Sequence, residues 1–446
     1  MGRSAKPKLL ICATSVYGHV MPLRSIAKEI IARGYDVTFL SGSEYKEKIE
    51  GIGANFVQLT GDADFTEAKM ARMIEFVKAV PAPTEDEVMR RAFIEVITDQ
   101  HEGVQRALKI MTDKDPEVKI VLVFEGSFRG SLPTLLGAGN IHPIGHIGVG
   151  IIPIIISSID TAPWGPGDAP GNSPAGRARN IAANKKCHEE TFAGTQLRFQ
   201  EILRDLGAAV PDMFWRDATM RLADRFVQMC APSVEYPRSN APPTVRFSGG
   251  LGPGLRDPMI SYPEWWDDIA VNAGKKHIVA VSQGTIQTDP TELIIPTMLA
   301  FKGSQDVIVV AALGKRDATL PEGTLIPKNT RYADFIPYDE MLRYSDVFVT
   351  NGGYGSVQHG LSIGVPLIVG GVRADKAENA VRVEWSGAGI NLHTYLPTPE
   401  MVHQAVREVL GNPMYKKRAK EIQAEMQSYD PVGVVIENIE EVANVK

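Results

Sequence analysis

The sequence has little cysteine. Cys12, Cys187 and Cys230 are the three in 446 residues. They are widely spaced and form no CxxC, so they suggest neither a disulfide framework nor a zinc set, and a reducing compartment is expected. Long apolar runs are also missing. The nearest, Ile144 to Ile156, is interrupted by proline and glycine and falls short of a membrane span. Leu9–Ala13 is too short for the apolar core of a secretory leader and reads as a strand. A cytoplasmic protein without stable membrane insertion is therefore expected. An excess of positive charge is also missing: the net charge is −6, so nonspecific binding to nucleic acid is not expected. What remains is ordinary globular composition, 44% apolar and 22% charged, in a chain too long for one core.

The apolar segments read as buried parallel strands alternating with helices, a doubly wound pattern. In the first half the strands are Lys8–Ala13, Asp36–Leu40, Asn55–Leu59, Lys119–Phe124 and Phe226–Cys230. A helix is predicted from Pro22 to Arg33, stopped by Gly34. Helical spacing recurs between Asp62 and Asp113 and between Arg177 and Leu206. Ala231–Pro263 is rich in proline and glycine and marks a boundary. The expected division is 1–235, a linker over 236–262, and 263–446, with Trp265 and Trp266 packing the linker back onto the second domain. Thr244–Phe247 is read as that domain's first strand. His277–Ser282, Asp306–Ala311, Arg331–Phe335, Val347–Val349 and Pro366–Val369 continue it, with helices over Pro290–Phe301, Ser356–Ile363 and the C-terminal stretch from Pro399.

Chemistry concentrates where strands meet helices. Asn351-Gly352-Gly353-Tyr354-Gly355-Ser356 places three glycines before a helix N-terminus, where free N–H groups and the helix dipole favour phosphate. It follows neither GxGxxG nor the Walker pattern, and on the residues alone a plain turn stays open. Ser282-Gln283-Gly284-Thr285 repeats the arrangement after another strand. His19 stands where the first strand's carboxyl end meets the first helix, the usual ligand edge of such a sheet. A neutral imidazole there can accept a proton near pH 7, or simply cap the loop. Glu125 closes a later strand, as a partner to such a base or as a surface carboxylate.

The stretch Val347–Leu392 resembles the donor-sugar signature of the family 1 UDP-glycosyltransferases. Asn351–Ser356, then Gly364-Val365-Pro366, then Asp375-Lys376 with Asn379 keep its order over more than forty residues. Gly18-His19-Val20-Met21-Pro22 resembles the family's base motif, Ser282–Thr285 its Ser-x-Gly-Thr loop, and Phe335-Ile336-Pro337-Tyr338 its Trp-x-Pro-Gln frame. The form is that of the soluble microbial and fungal branch.

The resemblance implies a GT-B fold, α/β, with two Rossmann-like doubly wound domains facing across a cleft and a last helix that can cross back to the first domain. It implies an inverting transfer of a hexose, with glucose expected, from a UDP-sugar to a small hydrophobic hydroxylated acceptor. His19 would be the base and Glu125 its partner, where the family has Asp. The donor would meet Ser282, Gly284, Thr285, Phe335, Ile336, Asn351, Gly353, Tyr354, Gly355, Ser356, His359, Asp375 and Lys376. Phe335 would stack on uracil in place of Trp. Asn351, His359 and Lys376 depart from the His, Glu and Gln of plant members, and Gln358 is a substitute for that Glu. Acceptor contacts would come from Met73, Phe93, Ser158 and Trp164, the last of which also suits a core position. No cofactor and no metal are expected, since no Asp-x-Asp pair falls within these stretches. A sugar-nucleotide epimerase and a non-catalytic nucleotide-sugar binder of the same fold stay open as alternatives.

Overall fold

The computed structural model describes residues 6–252, 262–272, 274–284, 287 and 289–445. The first sheet contains β1 (Lys8–Cys12), β2 (Val37–Ser41), β3 (Asn55–Gln58), β4 (Ile120–Glu125), β5 (Gly145–Gly150), β6 (Arg225–Gln228) and β7 (Val245–Phe247), in the order β3-β2-β1-β4-β5-β6-β7. All its pairings are parallel. Helices cover both faces, so β4 is buried at every residue and reads as a continuous apolar run rather than an alternating one. The second sheet contains β8 (His277–Ser282), β9 (Val307–Ala312), β10 (Thr330–Ala333), β11 (Val347–Thr350), β12 (Leu367–Val369) and β13 (Gly389–Asn391), in the order β10-β9-β8-β11-β12-β13.

Each order reverses at one place, and such a reversal opens a crevice beyond the strand carboxyl ends. In the first sheet it falls between β1 and β4, where Cys12 is in register with Phe124, so the chain leaves β1 beside Glu125. In the second it falls between β8 and β11, where Ser282 is level with Thr350. The loops after Ser282 and after Thr350 therefore start side by side.

Three expectations need correction. The first helix spans Tyr17–Ala32 and contains Pro22, which puts His19 in its first turn rather than in a loop. Pro22 lies beyond the first turn and has no N–H, so the Gly18 carbonyl lacks its usual donor four residues on. Val245–Phe247 is not the first strand of the second domain. It pairs with β6 at the edge of the first sheet, and Val245 and Phe247 pack on Ile154, Ile156, Met220 and Phe226. Proline and glycine around it mark loops without specifying which sheet edge a short strand joins. The helix expected from Pro290 begins at Ile294.

The last helix, Pro431–Val445, lies on the first sheet, with Val432, Val435, Ile439 and Val442 in one core with Leu9, Ile11 and Val149. Gly145 permits this approach, because a Cβ there would strike Val442. Asp430 takes a two-pronged pair from Arg33, both contacts 2.8 Å. Trp266 is buried in the second domain, and Trp265 donates its indole N–H to the Tyr332 carbonyl at 3.1 Å. Among the described residues no helix is long and apolar enough to cross a membrane.

Candidate active site

At the first crevice, His19 Nδ1 lies 3.1 Å from Glu125 Oε2, approached off the ideal N–H···O line. Glu125 is fully buried. Its Oε1 accepts from the Thr14 hydroxyl at 2.5 Å and the Thr14 N–H at 3.3 Å, and its Oε2 accepts from the Ser127 N–H at 2.7 Å. Burial would push this carboxyl up, but the His19 charge and the donors from His19, Thr14 and Ser127 outweigh it and hold it below the usual range. For His19, burial works to keep the ring neutral. The Glu125 charge and hydrogen bond, with help from Asp375, win and raise its pKa above the ordinary value, while Arg129 pulls the other way. With Nδ1 turned to Glu125, Nε2 is the nitrogen left for an acceptor hydroxyl.

At the second crevice, the helix Tyr354–Ile363 starts from Gly353 with no side-chain cap, so its first-turn N–H groups, Gly355 included, remain for a ligand. Asn351 donates its amide to the Gln283 carbonyl, tying the two loops together. Tyr338 bridges two further predicted donor residues: its hydroxyl donates to Ser282 Oγ at 3.2 Å and accepts from Ser356 Oγ at 3.3 Å. Gly352 has φ +81, and its carbonyl accepts from Asn379, whose amide also reaches Asp375 at 2.9 Å. Asp375 and Lys376 open the helix Lys376–Trp385. Gly284 is half-buried in the loop after β8. Thr285 lies outside the described residues.

Phe335 is 42% exposed, as a stacking platform must be, and the Arg316 guanidinium stands 5.1 Å over its ring. Ile336 is different: its side chain is buried in the second-domain core, leaving its backbone alone for a ligand. His359 keeps Nδ1 2.9 Å from Asp339 and sits edge-on to Tyr338. Gln358 is buried.

Two predicted binding residues have hydroxyls engaged within the protein. The Tyr354 hydroxyl accepts from Gln228 at 2.8 Å and donates to the Met229 carbonyl at 3.0 Å, so it joins the domains. The Ser158 hydroxyl donates to Asn240 at 2.6 Å and accepts from the Asp160 N–H, which braces its loop. Met73 is half-buried on the helix Glu67–Val77. Phe93 and Trp164 lie over the guanidinium groups of Arg129 and Arg216, each at 5.4 Å.

The halves are clamped by groups far apart in sequence. Glu378 accepts from the Gly165 and Gly167 N–H groups at 2.7 and 3.1 Å, fixing the loop at residues 165–167 to the second domain. Arg382 joins Glu378 at 2.7 Å to Glu235 at 2.7 Å, and Arg238 reaches Glu235 at 3.1 Å. Across the cleft Asp375 is near enough to act on His19 electrostatically. Tyr338, Arg129, Arg216 and Glu378 were absent from the sequence-based set. Tyr338 had a signal in its place in the Phe335–Tyr338 frame, and Glu378 in the polar cluster it forms with Asp375, Lys376 and Asn379. Among the described residues no group of three or more His, Cys, Asp or Glu is placed to hold a metal ion.

The model of the erythromycin biosynthesis protein CIII-like C-terminal domain matches residues 297–442. UDP-glycosyltransferase 2 of Phaeomoniella chlamydospora is 40% identical over 99% of this chain and 96% of its own length. UDP-glucosyltransferase A1 of Starmerella bombicola is 34% identical over 99% of this chain and 93% of its own. In fold, the solved structure of the glycotransferase of kitacinnamycin matches 98% of this chain and 99% of its own, with a TM-score of 0.70 at 20% identity. Full-length kinship at this level, on two facing Rossmann-like domains, assigns the chain to the family 1 UDP-glycosyltransferases, and it is a UDP-dependent glycosyltransferase of the GT-B fold.

Proposed function

We propose that the protein transfers glucose from UDP-glucose to a hydroxyl of a small hydrophobic acceptor, with inversion at the anomeric carbon and His19 as general base. The observation that carries this reading is the buried His19–Glu125 pair, facing Asp375 at the meeting of the two crevices. The names of the relatives, UDP-glucosyltransferase among them, support the donor. His19 Nε2 takes the acceptor hydroxyl proton, and Glu125 stabilises the imidazolium that forms. The oxygen forms its bond to the anomeric carbon on the face opposite the nucleotide. The bond from that carbon to the diphosphate oxygen breaks, and UDP leaves with the electron pair. An α-linked donor therefore gives a β-linked product. Charge growing on the diphosphate meets the uncapped N–H groups after Gly353 and the Ser282–Tyr338–Ser356 hydroxyl chain. These donors suffice without a divalent ion, so excess EDTA is expected to leave the rate unchanged.

The test is mass spectrometry and NMR of products from UDP-glucose with phenols, sterols and hydroxy fatty acids, using wild type and His19→Ala. A β-glucoside that disappears in the variant is expected. An α-glucoside, or undiminished transfer by His19→Ala, refutes the mechanism.

A further inference from the structure

Two arginines in the acceptor half are buried without a counterion. Arg129 and Arg216 are each 3% exposed, and neither stands within ion-pair distance of a carboxylate among the described residues. Their polar partners are backbone carbonyls: Arg129 donates to Ser127 at 3.2 Å and Arg216 to Trp164 at 3.0 Å. Arg129 Nε and Arg216 Nη2 are buried and unpaired. The remaining surface is aromatic. Arg129 lies 4.6 Å from the Trp215 ring and 5.4 Å from Phe93, and Arg216 lies 4.5 Å from Phe192 and 5.1 Å from Trp215.

A buried cation without a counter-charge is costly, and cation–π contacts recover part of that cost. Here two such cations act on one another. Burial, then Arg216, bring the Arg129 pKa down to about 9, against the charge of Glu125, which lies beyond ion-pair distance and already serves Thr14, Ser127 and His19. The carboxylates that act on Arg216 at longer range are committed elsewhere: Asp217 to Ser157 and Arg221, Glu378 to Arg382 and two glycine N–H groups. Glu85, the third, lies in the first turn of the helix Glu85–Phe93, outside ion-pair distance. The placement points to a ligand. Arg129 follows β4 by four residues, beside Glu125, and is close enough to act on His19. Phe93 and Trp164, both expected to line the acceptor, cover the two guanidinium groups.

We infer that Arg129 and Arg216 form a carboxylate site for the acceptor, so that the preferred substrates are hydroxylated organic acids with an apolar body. A planar carboxylate accepts from two guanidinium edges at once, in charge-assisted bonds, and the surrounding rings suit an apolar body. The acid thereby supplies the counter-charge that the protein withholds. This inference rests on the acceptor-half assignment made under the proposed function, and its test separates the two.

With UDP-glucose as donor, transfer is measured to 4-hydroxybenzoate and 12-hydroxydodecanoate, each against its methyl ester. Wild type is expected to favour the acids in kcat/KM by ten-fold or more. In Arg129→Met and Arg216→Met the acid-to-ester ratio should fall by at least ten-fold, with partial recovery in Arg129→Lys and Arg216→Lys. Equal use of acid and ester by wild type, or loss of both substrates with the ratio unchanged, overturns the inference and leaves glycosyl transfer standing. A separate arm needs no turnover. Benzoate and dodecanoate should raise the thermal midpoint of wild type and not of the Met variants. No midpoint shift in wild type overturns the carboxylate site, whereas a shift without transfer to any acceptor overturns the proposed reaction alone.

Discussion

Replacing Glu125 by Gln removes one charge from the dyad and changes almost no volume. The carboxylate serves four donor groups: the Thr14 hydroxyl and N–H on one oxygen, the Ser127 N–H and His19 on the other. A carboxamide offers one oxygen and one NH2. With its oxygen toward Thr14, the NH2 opposes the Ser127 N–H and turns His19 Nδ1 into an acceptor, which places the ring proton on Nε2 and blocks the base. Flipped, it preserves the tautomer but opposes the Thr14 N–H. Either way one buried donor is unsatisfied, a cost of about 1–3 kcal/mol in stability. The imidazolium also loses its counter-charge. An amide in place of such a carboxylate lowers kcat by roughly 10²–10⁴, about 3–5 kcal/mol of transition-state stabilisation. The pH profile supplies an independent readout. The base must be neutral, so the rate falls as pH drops through the His19 pKa, which Glu125 raises above its ordinary value. In Glu125→Gln that support is gone, while burial and Arg129 still favour the neutral ring, and the acid limb of kcat/KM moves to lower pH. Steady-state kinetics over the pH range measure both effects. A variant with wild-type kcat, or an unmoved acid limb, refutes the reasoning.

Phe335→Ala removes the exposed platform, and the donor KM in steady-state assays should rise roughly 5- to 150-fold, the equivalent of about 1–3 kcal/mol of base stacking. Tyr354→Phe leaves Gln228 and the Met229 carbonyl short of a partner at the domain junction; denaturant titration should show a loss of about 1–3 kcal/mol with donor KM little changed, and a large KM effect alone would place the Tyr354 hydroxyl at the donor site. Glu235 is opposed by burial, but Arg382 and Arg238 bring it from 4.5 to about 2. The stability from its ionised form is fully present above pH 4.5 and is lost as pH falls toward 2, so the melting temperature of wild type should drop more steeply over that interval than that of Glu235→Gln.

Much of this protein could be read along the chain. Apolar runs such as residues 120–124 and 277–282 must be buried on two faces, which calls for parallel sheets between helices, whatever the surroundings. Glycines and small hydroxyl residues at strand ends suggested a phosphate-binding side through local backbone chemistry, and Gly18-His19 suggested the proposed base. These features depend on neighbours within a few residues, where periodicity and turn chemistry operate. The edge to which Val245–Phe247 is added depends instead on Ile154 and Phe226, distant in the chain. Tyr354 stands in the middle of a donor motif, yet its hydroxyl goes to Gln228 and Met229, a choice set by how the two domains meet. Arg382 and Glu235 look like ordinary surface charges in the sequence. Closing the domains removes them from water and obliges them to pair. Arg129 and Arg216 are likewise unremarkable arginines until the fold buries them among Phe93, Trp164, Phe192 and Trp215 with no carboxylate of the described residues at ion-pair distance. Strand, turn and motif are thus short-range properties written in residue order, whereas pairing, burial and charge balance arise from segments that meet in space, and these decide which side chains remain free to hold a substrate.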